Sequence, residues 1–86
     1  MYTYFFEIRP NLLDAYKAHF KQKHQVQRPG NELSVIPNVA NTSVLVKVNS
    51  EETLQEILPN GLTPYATLTL EEARVLLRTS EWNPFP

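Results

Sequence analysis

The sequence predicts a single α+β domain over residues 1–86, built on an antiparallel sheet, and three observations carry that reading. The opening residues alternate as a strand does, with Tyr2, Tyr4, Phe6 and Ile8 on one side and Thr3, Phe5 and Glu7 on the other. From Asn11 onward the apolar period changes to that of a helix. Finally, 86 residues that are 42% hydrophobic leave room for one core and not for two.

Each element follows from local chemistry. Aromatic and branched side chains suit a pleated surface, so residues 1–8 form the first strand. Pro10 has no N–H to donate, which stops the ladder there and suits the first turn of a helix. That helix runs from Asn11 to about Gln25, with Leu12, Leu13, Tyr16, His19 and Phe20 as its apolar stripe and Lys23 at the stripe's end. Asp14 sits early and the lysines late, as the helix dipole prefers. The run Arg28-Pro29-Gly30-Asn31 breaks the chain. Residues 32–36 and 42–48 then make two strands joined by a turn-rich loop, Pro37 to Asn41. Ser50 is the expected cap of a short helix from Glu51 to about Leu58, which Pro59-Asn60-Gly61 ends. Residues 63–68 form a fourth strand at an edge, where Pro64 is tolerated. Thr69 and Glu72 make a capping box for a third helix over residues 70–79, and an aromatic tail with Trp82 and Phe85 is expected to dock.

A strand–helix–strand–strand–helix–strand order predicts the ferredoxin-like βαββαβ arrangement: an antiparallel sheet with helices on one face, here followed by a C-terminal helix and tail. The opening strand, the amphipathic helix and the later strand followed by Ser50-Glu51-Glu52 resemble the element order of the small dimeric α+β barrel proteins. That resemblance lies in element order alone and brings no activity with it. Under the helices should lie Tyr2, Tyr4, Phe6, Ile8, Val44, Val46 and Val48. The reverse face then carries Thr3, Phe5, Glu7, Leu45 and Lys47, with either Ser34 or Ile36. Phe5 and Leu45 make it partly apolar, and three things would satisfy it: a homodimer, cover by the third helix or the tail, or a partner.

Composition excludes several chemistries. There is no cysteine, hence no disulfide or thiolate chemistry. With glycine only at positions 30 and 61, Walker-type and dinucleotide loops are absent, and no serine sits in a Gly-x-Ser-x-Gly elbow. His19 and His24 are five residues apart, whereas helical metal pairs prefer three or four, so no metal site is expected. Glu51/Glu52 and Glu71/Glu72 read as helix-opening charges rather than acid–base pairs. No cofactor and no catalytic residue is expected. No apolar run approaches the roughly 18 residues a membrane span needs. The residues after Met1 lack a leader's basic region and cleavage site, so the expected location is the cytoplasm, and the acceptor pattern Asn41-Thr42-Ser43 is read as accidental.

The formal charge of −1 hides an asymmetry. The segment from Arg9 to Arg28 carries five cations against Asp14, while beyond it seven glutamates face Lys47, Arg74 and Arg78. Lys17 and Lys21, one helical turn apart, and Arg28 form a strip able to meet an anionic partner. The leading expectation is a small non-enzymatic protein-interaction module, accessory or inhibitory, with a protein partner or a second copy held by Phe5, Leu45, Lys17, Lys21 and Arg28. One alternative is nucleic-acid binding by the basic helix, which a sequence pI near 6.1 disfavours. Another is a small-ligand-binding or cofactor-free enzyme of the dimeric α+β barrel type.

Overall fold

The computed structural model of the protein describes residues 2–24, 33–50, 52–58 and 61–85. Strand β1 (Tyr2–Ile8) leads through a 3-10 turn (Pro10–Leu12) into helix α1 (Leu13–His24). Strands β2 (Leu33–Pro37) and β3 (Val44–Ser50), helix α2 (Leu54–Ile57), strand β4 (Ala66–Leu68) and helix α3 (Leu70–Leu76) follow. The four strands form one sheet in the order β2-β3-β1-β4, every neighbouring pair antiparallel. This is the ferredoxin-like arrangement that the element order predicts.

The register sorts the side chains. Tyr4, Phe6 and Ile8 stand opposite Val48, Val46 and Val44, which places all six on one face. Helices α1 and α2 cover that face: Tyr16, Phe20 and Ile57 pack with Phe6, Ile8 and the three valines into a core from which water is excluded. Phe6 is its centre, with the rings of Phe20, Tyr16 and Tyr4 at 5.7, 6.2 and 6.4 Å between centroids. Each such buried side chain contributes about 1.5–3 kcal/mol relative to exposure. The hydroxyl of Tyr16 is not orphaned, because it donates to the Leu62 carbonyl and ties the segment before β4 to α1.

Burial raises the Tyr16 phenol above its ordinary value, and burial, then Tyr2 and Glu56, raise that of Tyr4. Both folded-state groups therefore hold their protons more tightly than the unfolded chain does. Their contribution is complete below about pH 10, the ordinary tyrosine value, and is lost as pH rises toward the raised folded values. Urea midpoints measured from pH 8 to pH 11 are expected to fall above about pH 10, less steeply in Tyr16→Phe. An equally steep fall in that variant would remove Tyr16 from the account.

The other face of the sheet is covered by the chain itself. Helix α3 crosses it and the chain then turns back, so that Phe5, Leu45, Ala73 and Trp82 form a second buried cluster. Ile36, Leu68, Leu76 and Leu77 pack against its margin. The molecule thus has three layers, with α1 and α2 on one side of the sheet and α3 with Trp82 on the other.

Four local expectations are corrected. The cap of α2 is Thr53 with Glu56, not Ser50 with the glutamates that follow it. Ser50 ends β3, and its hydroxyl takes the N–H of Glu52 at 3.0 Å. Glu52 therefore opens no helix, while Glu51 lies outside the described residues. Helix α3 ends at Leu76 rather than Thr79, since the N–H groups of Arg78 and Thr79 reach back only three residues, to Val75 and Leu76. In the tail, Trp82 docks as expected but Phe85 does not, being 88% exposed.

Candidate functional site

The candidate site lies where the third layer meets the edge strand β4. Strand β4 is only three residues long and pairs with β1 through Phe5, Phe6 and Glu7. The Thr69 capping box starts α3 immediately after it, with Thr69 Oγ1 accepting from Glu72 N and Glu72 Oε1 accepting from Thr69 N. The strand thus passes into the helix with a single residue, Thr69, between them. Along α3 and its C-cap the inward stripe is buried Ala73 with half-buried Leu76 and Leu77, at helical spacing. Val75 falls off that stripe and is 68% exposed.

Between helix and strand lies an open cleft of about 400 Å³, lined by Glu7, Leu68, Glu72, Val75, Leu76 and Thr79. Its walls are apolar and two carboxylates belong to its lining. Leu70, also at the start of α3, is 39% exposed. Arg74 meets Glu71 at 3.4 Å on the exposed side of the helix, a pair worth little in water.

The lining is braced from below. Ser43 donates its hydroxyl to Glu7 Oε2 at 2.8 Å, and Asn38 Oδ1 accepts from the N–H groups of Thr42 and Ser43. Asn41 takes a left-handed φ of 57° in this loop, a conformation asparagine tolerates. The Val39 N–H then donates to the Glu81 carbonyl at 2.8 Å, tying the β2–β3 loop to the turn that carries Trp82.

The residues that the sequence nominates do not assemble into one surface. Phe5 and Leu45 are 4% and 0% exposed, and this corrects their expected place on an open contact face. The physical reason is that α3 and Trp82 bury more apolar area by folding back than by standing clear in water. Lys17 is exposed on α1, Lys21 follows one turn later, and Arg28 lies outside the described residues. His19 is half-buried, its ring edge-on to Phe20 at 5.2 Å and its Nε2 3.2 Å from the Ile57 carbonyl, a packing role. What sequence reasoning missed is the pairing of Leu68 with Val75 and Leu76. The available signal was Val75, an apolar residue off the helical stripe that Ala73, Leu76 and Leu77 define.

No described helix is long and apolar enough to cross a membrane. Comparison with family models, with curated proteins and with solved structures finds no match to this chain.

Proposed function

We propose that this chain is a small protein-interaction module, accessory or inhibitory, that acts by occupying a partner's surface and needs no catalytic step. The observation supporting this reading is Val75, an apolar side chain left 68% exposed beside Leu68 and Leu76. The chain covers its other apolar sheet face, so apolar surface left in an open cleft is a reason to look for a partner there. Glu7 and Glu72 suit a partner that presents an apolar side chain flanked by lysine or arginine. In this reading the contact moves from Phe5 and Leu45 to the neighbouring cleft.

The test compares three immobilised proteins in nuclease-treated source lysate: the native chain, Val75→Asp, and the double reversal Lys17→Glu with Lys21→Glu. The expected result is one defined protein retained by the native chain and the double reversal, and bound at least about tenfold more weakly by Val75→Asp, some 1.4 kcal/mol. Val75 is exposed, so the substitution is expected to leave the circular dichroism spectrum unchanged. A partner lost only from the double reversal would place the contact on α1. Retention that disappears with nuclease would transfer the function to nucleic acid. Sedimentation of the purified chain distinguishes a second copy from a different partner.

A further inference from the structure

We propose that the end of β1 carries a second, separate site, which binds a small organic carboxylate through Arg9. Arg9 directly follows β1, and Tyr65 directly precedes β4. The Tyr65 N–H donates to the Glu7 carbonyl at 2.7 Å, extending the β1–β4 ladder and fixing the tyrosine's backbone against the end of β1 that Arg9 follows. Arg9 Nε then donates to the Tyr65 hydroxyl at 2.8 Å. The guanidinium carbon lies 5.4 Å from the ring centroid. Because the hydroxyl stands outside the ring, a guanidinium bonded to it sits toward the ring's edge, and the hydrogen bond is the contact that sets its position.

This bond uses only one of the five donors of the guanidinium. Among the described residues Arg9 has no ion-pair partner, the one ion pair being Arg74 with Glu71. Among the described residues, the terminal nitrogens are therefore held in place with no carboxylate against them, and their fork matches a carboxylate through two parallel hydrogen bonds.

The guanidinium lines a cleft of about 380 Å³ with Asn11, Leu12, Thr63, Pro64 and Tyr65, within the size range of small-ligand sites. Asn11 and Thr63 add hydrogen-bonding side chains, while Leu12, Pro64 and the tyrosine ring are apolar. A ligand with a carboxylate at one end and a short apolar body suits both parts. Both walls are anchored before any ligand arrives. The Leu12 N–H closes its turn on the Arg9 carbonyl at 3.0 Å, and Tyr16 holds the opposite segment through the Leu62 carbonyl. Such preorganisation lowers the entropy cost of binding.

The test is a titration followed by the Arg9 Nε–H and Tyr65 amide NMR signals, with benzoate as the probe and benzamide and inorganic phosphate as comparators. Benzoate is expected to shift both signals saturably, and benzamide at least about tenfold more weakly because it lacks the charge. Arg9→Gln is expected to weaken benzoate by about tenfold or more, and Arg9→Lys not to restore it, since an ammonium lacks the fork. Tyr65→Phe, which keeps the ring and removes only the anchor, is expected to weaken it severalfold. Arg9 is exposed, so these variants are expected to remain folded, which circular dichroism checks. Absence of a saturable shift, or unchanged affinity in Arg9→Gln, would overturn the site. Phosphate binding as tightly as benzoate would overturn the organic-carboxylate assignment.

Discussion

Trp82→Ala is expected to cost about 3–5 kcal/mol, the usual loss when a large aromatic is removed from a packed site. For a chain of 86 residues, total stability is roughly 4–13 kcal/mol, so this one substitution removes a large share. Trp82 is 7% exposed and closes a cluster whose other buried members, Phe5, Leu45 and Ala73, come from β1, β3 and α3. Without it, water reaches Phe5 and Leu45 and the turn loses its main apolar anchor, leaving the Val39–Glu81 hydrogen bond to hold it. The variant is expected to show two changes together: a lower urea midpoint by far-UV circular dichroism, and concentration-dependent self-association in sedimentation. An unfolding free energy within about 1 kcal/mol of the native value, by linear extrapolation to water, would show that the third layer does not depend on Trp82.

Phe6→Ala is expected to cost at least as much, about 3–5 kcal/mol, and to affect the whole domain rather than one layer. Phe6 is fully buried, opposite Val46 on one side and Thr67 on the other. Its strand is hydrogen-bonded along both edges, so the backbone cannot move inward to fill the cavity, and relaxation is confined to Tyr16 and Phe20. Phe6→Leu retains much of the volume and is expected to lose about 1–2 kcal/mol. The same urea experiment checks both, with an unchanged slope required for the comparison. A loss below 1 kcal/mol for the alanine variant would mean that the α1 face repacks freely, against the geometry of the aromatic cluster.

Much of the fold is legible in residues that signal locally. The alternation from Tyr2 to Ile8 sorts the two sheet faces correctly, as the pairing of Phe6 with Val46 and of Glu7 with Leu45 shows. The Thr69–Glu72 capping box marks the start of α3 to the residue. Where the reading slipped, a nearer or stronger competitor won. Thr53 with Glu56 offers a full capping box, which outcompetes Ser50, and the third helix tightens at its end because its last N–H groups reach back only three residues. The candidate cleft was legible only in its ingredients. Leu68, Val75 and Leu76 are visible as apolar residues, but that Leu76 turns inward while Val75 stays in water depends on how α3 is rotated over β4.

Element order, the antiparallel sheet and the sorting of side chains between its two faces are all written along the chain. Those follow from periodicity, proline position and capping, all of which act within a few residues. Long-range packing set what covers the reverse face. It turned Phe5 and Leu45 from a contact surface into core, left Val75 exposed, and brought Arg9 to Tyr65 across 56 residues of chain. The reason is that burial is a competition among distant segments for the same apolar area. A segment's own pattern states that it has a face to bury, but which surface receives that face depends on which competitor removes the most apolar area from water.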